Sequence, residues 1–189
     1  MRNMRKAIEP LLTIADLDAM PDDGNRYELI EGDIYMSRSP TISHQLALQN
    51  LQVELALFLR SNPLGILLPG IGVIFDDFNG VIPDLIFIAN ENIQDLASGD
   101  RVYGSPDIAI EIISPGAENE RRDRSMKRRL YSLHKVKEYW IVDPYKYTIE
   151  VYKLKKRGLD LAATFGIKDQ LTSAVLKGLR LPVKTILTR

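Results

Sequence analysis

The chain has 189 residues, and its 25 Lys+Arg balance 25 Asp+Glu, so composition gives no global attraction to nucleic acid or to an anionic membrane. It contains no cysteine, which excludes disulfides and Cys-ligated zinc and fits a cytoplasmic protein. Hydrophobic residues make up 45% and charged residues 26%, the balance of an ordinary globular chain long enough for one domain with a sizeable core.

Residues 1–12, "MRNMRKAIEPLL", form a basic N-terminal extension without the apolar run of a signal peptide. In "LTIADLDAM", Thr13 caps a short helix and Asp16 suits its first turn. "RYELIEGDIYMS" predicts a hairpin about the turn pair Glu31-Gly32. In "SHQLALQNLQVELALFLRS", Leu48, Leu51, Leu55 and Leu59 fall at helical spacing, with Ser43 as the expected cap. Gln49, Asn50, Gln52 and Glu54 interrupt its apolar run, so no membrane span is expected.

Ile66–Leu68 is a weak strand signal, and Gly72–Asp76 with Val81–Ala89 predicts a hairpin about "FNG". "ENIQDLA" reads as a short helix, Asp107–Ser114 as a strand, and "ENERRDRSMKRRLYSLHK" as a second long helix. "EYWIVDP" and "TIEVYKL" are strands joined through Pro144-Tyr145-Lys146, and "LDLAATFG" is a further strand. Residues 166–189 form a C-terminal edge segment, whose "LKGLRLPVKTIL" offers an apolar edge. The order of elements predicts a single mixed α/β domain over 1–189, a mixed sheet flanked by helices.

Two carboxylates interrupt apolar strand signals. Asp84 opens "DLIFIA", and Glu111 lies inside "DIAIEIIS". Alternation places Asp107, Ala109, Glu111 and Ile113 on one face and Ile108, Ile110 and Ile112 on the other, as in a central strand covered on both sides. A buried carboxylate needs a partner. One reading is a structural pairing of Glu111 with an arginine. The other is a site for Mg²⁺, which takes one or two carboxylates and completes its shell with water and phosphate oxygens. On the second long helix, Met126, Leu130 and Leu133 form the apolar stripe at 100° per residue. Lys127 flanks that stripe and either reaches back to the sheet or snorkels to solvent, while Arg121, Arg122, Arg128 and Arg129 point outward.

Six blocks in order, "RYELIEGDIYM", "SHQLALQNL", "IPDLIFIA", "GSPDIAIEIISP", "DRSMKRRLY" and "KEYWIVDP", resemble the Uma family of restriction-endonuclease-type proteins, of the PD-(D/E)XK nuclease-like superfamily. The resemblance runs from about Thr13 to about Phe165. It implies a restriction-endonuclease-like core with the active site on the central strands. Asp84 matches the Asp of the PD element and Glu111 the acidic residue of the (D/E)XK element, which implies Mg²⁺ ligation (Mn²⁺ as a substitute) with the Ile112 carbonyl as a further ligand. Ile113 stands where that triplet has its lysine, and Lys127 on the following helix is the match. Glu28 and His44 match family positions as auxiliary residues.

The function that follows is a Mg²⁺-dependent endonuclease acting on DNA, with RNA also open, that leaves a 5′-phosphate. Arg121, Arg124 and Arg128 are the expected backbone contacts; the bland alternative for this basic run is a solvated face balanced by Glu118, Glu120 and Asp123. The alternative function is an inactive nuclease-fold module that binds nucleic acid or protein. A homodimer is expected, because double-strand cleavage needs two sites and the C-terminal edge is apolar.

Overall fold

The computed structural model describes residues 10–37 and 39–188; residues 1–9 of the basic extension lie outside them. In chain order the elements are α1 (Ile14–Asp18), β1 (Arg26–Ile30), β2 (Asp33–Ser37), α2 (Ile42–Ser61), β3 (Gly65–Pro69), β4 (Val73–Asp76), β5 (Asn79–Val81) and β6 (Leu85–Ala89). There follow α3 (Ile93–Leu96), β7 (Ala97–Ser98), β8 (Arg101–Tyr103) and β9 (Ile108–Ile112). Next come α4 (Ala117–Arg121), a π-helical turn over Arg122–Lys127, and α5 (Arg128–Leu133). The chain ends with β10 (Glu138–Asp143), β11 (Thr148–Lys155), β12 (Gly158–Gly166), β13 (Gln170–Leu171), β14 (Leu181–Pro182) and α6 (Val183–Leu187).

The fold is mixed α/β. A central six-stranded sheet has the order β12-β11-β10-β9-β6-β3, and a second has the order β2-β1-β5-β4-β8-β7. In the central sheet β9 and β10 run parallel, and their neighbours pair antiparallel. One apolar cluster joins α2, α6 and one face of the central sheet through Leu51, Leu55, Ile110, Trp140 and Ile186. The other joins the opposite face to the second sheet and α5 through Ala109, Ile113, Val73, Leu130 and Tyr131. The β9 alternation holds as predicted: Ile108, Ile110 and Ile112 face the first cluster, Ala109 and Ile113 the second.

Local rules account for the boundaries. Thr13 and Asp16 form a reciprocal capping box at α1. The β1–β2 turn places Glu31 at φ 54° and Gly32 at φ 80°, the left-handed pair that a two-residue hairpin requires. Thr41, not Ser43, caps α2: its hydroxyl accepts the His44 N–H. Among the described residues, no helix is long and apolar enough to cross a membrane.

Three expectations change. The strand read as Val81–Ala89 is two strands in different sheets, β5 beside β4 and β1, and β6 beside β3 and β9. Pro83 has no N–H to give to a ladder, and the chain crosses between the sheets at 82–84. The weak Ile66–Leu68 signal becomes the full edge strand β3. The C-terminal "edge" faces inward: Leu176, Leu179, Leu181, Val183, Ile186 and Leu187 are buried in the first cluster. Those side chains are therefore not the exposed edge expected of them, and the homodimer expectation keeps only its other ground, that double-strand cleavage needs two sites.

Candidate functional site

The crossing at Pro83 positions the first acidic residue. Asp84 lies just before β6 rather than within it, at the end of the central sheet where β9 also finishes. Its Oδ2 accepts the Ile112 N–H at 2.7 Å and lies 3.1 Å from His44 Nε2. His44, in the first turn of α2, is thus directed at Asp84 from the other side of the cleft. Glu111 precedes Ile112 on β9 and is buried. Its Oε1 accepts from Lys127 Nζ at 2.9 Å and from the Tyr131 hydroxyl at 2.7 Å. Both carboxylates line an open cleft of about 660 Å³ together with His44, Ile112, Ser114, Arg122, Asp123 and Lys127.

Lys127 reaches back to the sheet. It is 2% exposed, with Nζ 2.8 Å from Glu28 Oε1 and 2.9 Å from Glu111 Oε1. Glu28 Oε1 also accepts the Ile82 N–H at 2.8 Å. Glu28, expected as an auxiliary metal residue, is accordingly a partner of Lys127 behind the cleft. The buried face of this helix also differs from the stripe expected. Leu133, assigned to the apolar stripe, is 58% exposed, while Asp123, Lys127, Leu130 and Tyr131 form the buried side. These buried positions stand at i, i+4, i+7 and i+8, one helical face, and Leu133 is the last residue of α5, outside that face.

The basic residues divide accordingly. Arg124, expected on a phosphate backbone, instead holds Asp143 at 2.8 Å and Glu150 at 2.7 Å, with Glu120 at 3.5 Å. Arg128 lies over the Tyr152 ring, 5.2 Å from its centroid. Arg121 is exposed, and Arg122, expected to point outward, lines the cleft. Sequence reasoning missed Arg122 and Asp123 as cleft residues and Tyr131 as a donor to Glu111. The signal for Asp123 was its i,i+4 relation to Lys127; for Arg122 there was none, because the π-turn has no sequence signature.

Burial pushes the Glu111 carboxyl up to about 8, Lys127 opposing and Asp84, Asp123 and Glu28 reinforcing the shift. Burial likewise raises Asp123, against Lys127 and Arg122. Burial works against the Lys127 ammonium, but Glu111, Glu28 and Asp123 outweigh it and hold its pKa above the ordinary lysine range. Burial and the Glu111 charge keep the Tyr131 hydroxyl protonated. Glu28, Asp84, Glu111 and Asp123 thus gather around Lys127 and Arg122, with Arg26 also on the cleft wall.

That gathering of carboxylates, in a cleft open to solvent, suits a divalent cation, which would offset the burial and repulsion that raise Glu111 and Asp123. The hydrogen bonds recorded for Asp84 converge on Oδ2 and those for Glu111 on Oε1, so each keeps its other oxygen for a further ligand. Among the described residues, no three or more acidic, His or Cys side chains are grouped so as to enclose a metal by themselves. The donor set fits a hard cation that takes two carboxylates and leaves positions for carbonyl, water and phosphate oxygens.

The sheet order, the flanking helices and the acidic cleft at the strand ends define a restriction-endonuclease-like fold. A crystal structure titled as a "putative nuclease belonging to DUF820", from Anabaena variabilis, has the same fold, with a TM-score of 0.75 over 93% of this chain and 97% of that one at 17% identity. The Uma2 family model, described as "Putative restriction endonuclease", matches residues 14–184, and the chain belongs to that family. Membership supports nuclease function and implies a nucleic-acid substrate. No curated protein matches the chain.

Proposed function

We propose that the protein is a Mg²⁺-dependent phosphodiester hydrolase acting on DNA, an endonuclease whose chemistry resides in one nuclease-like domain. The observation that carries this is the convergence of Asp84 and Glu111 at one end of the central sheet, with Lys127 locked against Glu111. Asp84, Glu111 and the Ile112 carbonyl are the groups that would hold Mg²⁺, or Mn²⁺ in its place. The ion would supply Lewis acidity toward a phosphate oxygen and toward an attacking water.

The side chains have separable tasks. The Ile112 N–H and His44 fix the Asp84 carboxylate from one side, and Tyr131 and Lys127 fix Glu111 from the other. Lys127 keeps a positive charge at the cleft floor, where it offsets the charge that develops on phosphorus oxygens. Glu28 holds that ammonium in place from behind.

Plasmid DNA incubated with the protein and Mg²⁺ or Mn²⁺, beside Asp84→Ala and Glu111→Ala, tests the assignment. The parent is expected to nick the plasmid and both variants to lose at least ~100-fold in rate, on the scale of removing one preorganised charge-stabilising group. Equal nicking by the variants would end the assignment of these residues. A parent that binds Mn²⁺ but cuts only RNA would move the substrate class. A parent that neither binds metal nor cuts would leave the inactive binding module.

A further inference from the structure

Ala117–Leu133 carries six basic side chains, and the fold treats them differently. Arg124 is surrounded by Asp143, Glu150 and Glu120. Arg128 covers Tyr152, and Arg129 is exposed beside Glu31. Lys127 is fixed between Glu28 and Glu111. Arg121 is exposed.

Arg122 is the exception. Its side chain is 16% exposed, and it lines the cleft with Asp84, Glu111 and Lys127. Among the described residues its Nε is buried without a hydrogen-bond partner, as is Oδ1 of the neighbouring Asp123; Arg124 Nε is unpaired too, but Asp143 and Glu150 take both terminal nitrogens of that residue, outside the cleft. The two atoms are 3.6 Å apart, an ion pair too long to be a hydrogen bond. A buried donor left unmade is costly, and a guanidinium carries five N–H groups in a planar fork that matches two phosphate oxygens.

The π-helical turn explains how the residue arrives there. Its i+5 closure brings Arg122 and Lys127 to the same side of the helix, whereas an α-helix would rotate them well apart. Asp123, also in the cleft wall, gives the guanidinium its counter-charge without saturating its donors.

We propose that Arg122 is the phosphate-gripping residue of the cleft, and that Asp123 is a positioning residue that orients it. The inference rests on the nuclease reading and adds to it a group that touches the substrate phosphate beside the acidic pair. It also places the basic contact that matters most inside the cleft, not on the exposed face of the helix.

The test measures binding of a fluorescent DNA duplex across a salt series in Ca²⁺, and cleavage of the same duplex in Mg²⁺. Arg122→Gln is expected to flatten the log Kd against log salt slope by about 0.9, one phosphate contact, and to slow cleavage by ~100-fold. Arg129→Gln is expected to match the parent in both. Arg122→Lys keeps the slope but recovers only part of the rate, because an ammonium lacks the fork. Adding Asp123→Asn to Arg122→Gln costs nothing further if Asp123 acts through Arg122; additive losses would remove Asp123 from that role. A parental slope and rate in Arg122→Gln would overturn the inference and leave the nuclease reading standing. A parent that neither binds nor cuts the duplex would overturn both. Should Arg122→Gln fail to fold, a parental rate in Arg122→Lys would also overturn it.

Discussion

Replacing Glu111 by Gln should stabilise the metal-free protein while abolishing its response to metal. Gln keeps an oxygen that can accept from Lys127 and Tyr131 but carries no charge into the buried position. In the parent the Glu111 carboxyl rises from its ordinary 4.5 to about 8. The sign follows from linkage: a raised folded pKa contributes stability that is fully present below 4.5 and is lost as pH rises through about 8. Each pKa unit corresponds to about 1.4 kcal/mol, so the difference between variant and parent should grow by several kcal/mol across that window. Bound Mn²⁺ should close the gap for the parent alone, by about 2.7 kcal/mol when the ion is at 100 times its Kd. Urea unfolding at intervals from pH 4 to pH 9, with Mn²⁺ and with chelator, reads both effects. A variant less stable than the parent by a constant amount at every pH would refute the reasoning, since it would mean that Glu111 is fully paid for by Lys127 without a further cation.

Three other outcomes are expected. Tyr131→Phe removes a buried donor to a carboxylate and should cost roughly 1.5–3 kcal/mol in urea unfolding, with weaker Mn²⁺ binding by calorimetry because Glu111 loses its orientation. Asp107→Asn should cost stability only where the native carboxylate is ionised. Burial raises its pKa, but Lys137, the Ala89 N–H and Asn92 together bring it below the ordinary 3.8. Its contribution is therefore present above that value and lost as pH falls through the depressed pKa, so parent and variant should converge in acid denaturation. Glu138→Ala should loosen the C-terminal segment, because that carboxylate accepts from Ser173, the Ala174 N–H and Trp140; hydrogen exchange at Leu176–Leu187 should quicken before that of β9.

Where local chemistry decided the structure, the sequence was enough. The capping box at Thr13, the Glu31-Gly32 turn, the Leu51, Leu55 and Leu59 face of α2 and the two faces of β9 all follow from propensity, turn chemistry and alternation. Glu111 could be singled out because a charge on a core face is anomalous by itself, whereas Lys127, at the edge of its stripe, stayed open between sheet and solvent until the family resemblance matched it. What depended on distant partners was not legible. Nothing local distinguishes Arg124, which meets Asp143 and Glu150 from other elements, from Arg122, which meets the cleft. The inward packing of Leu179 and Ile186 depends on α2, far earlier in the chain. The short strands β7 and β8, which pair beside β4 at the margin of the second sheet, carry too few residues to show a period.

The most direct test of the central claim is a crystal grown with Mn²⁺, with anomalous scattering recorded at the manganese edge. The account predicts one peak between the Asp84 and Glu111 carboxylates, within ligand distance of the free oxygen of each and of the Ile112 carbonyl, with Lys127 still against Glu28 and Glu111. An acidic pair left without manganese at saturating Mn²⁺, or manganese bound only elsewhere on the molecule, would contradict it.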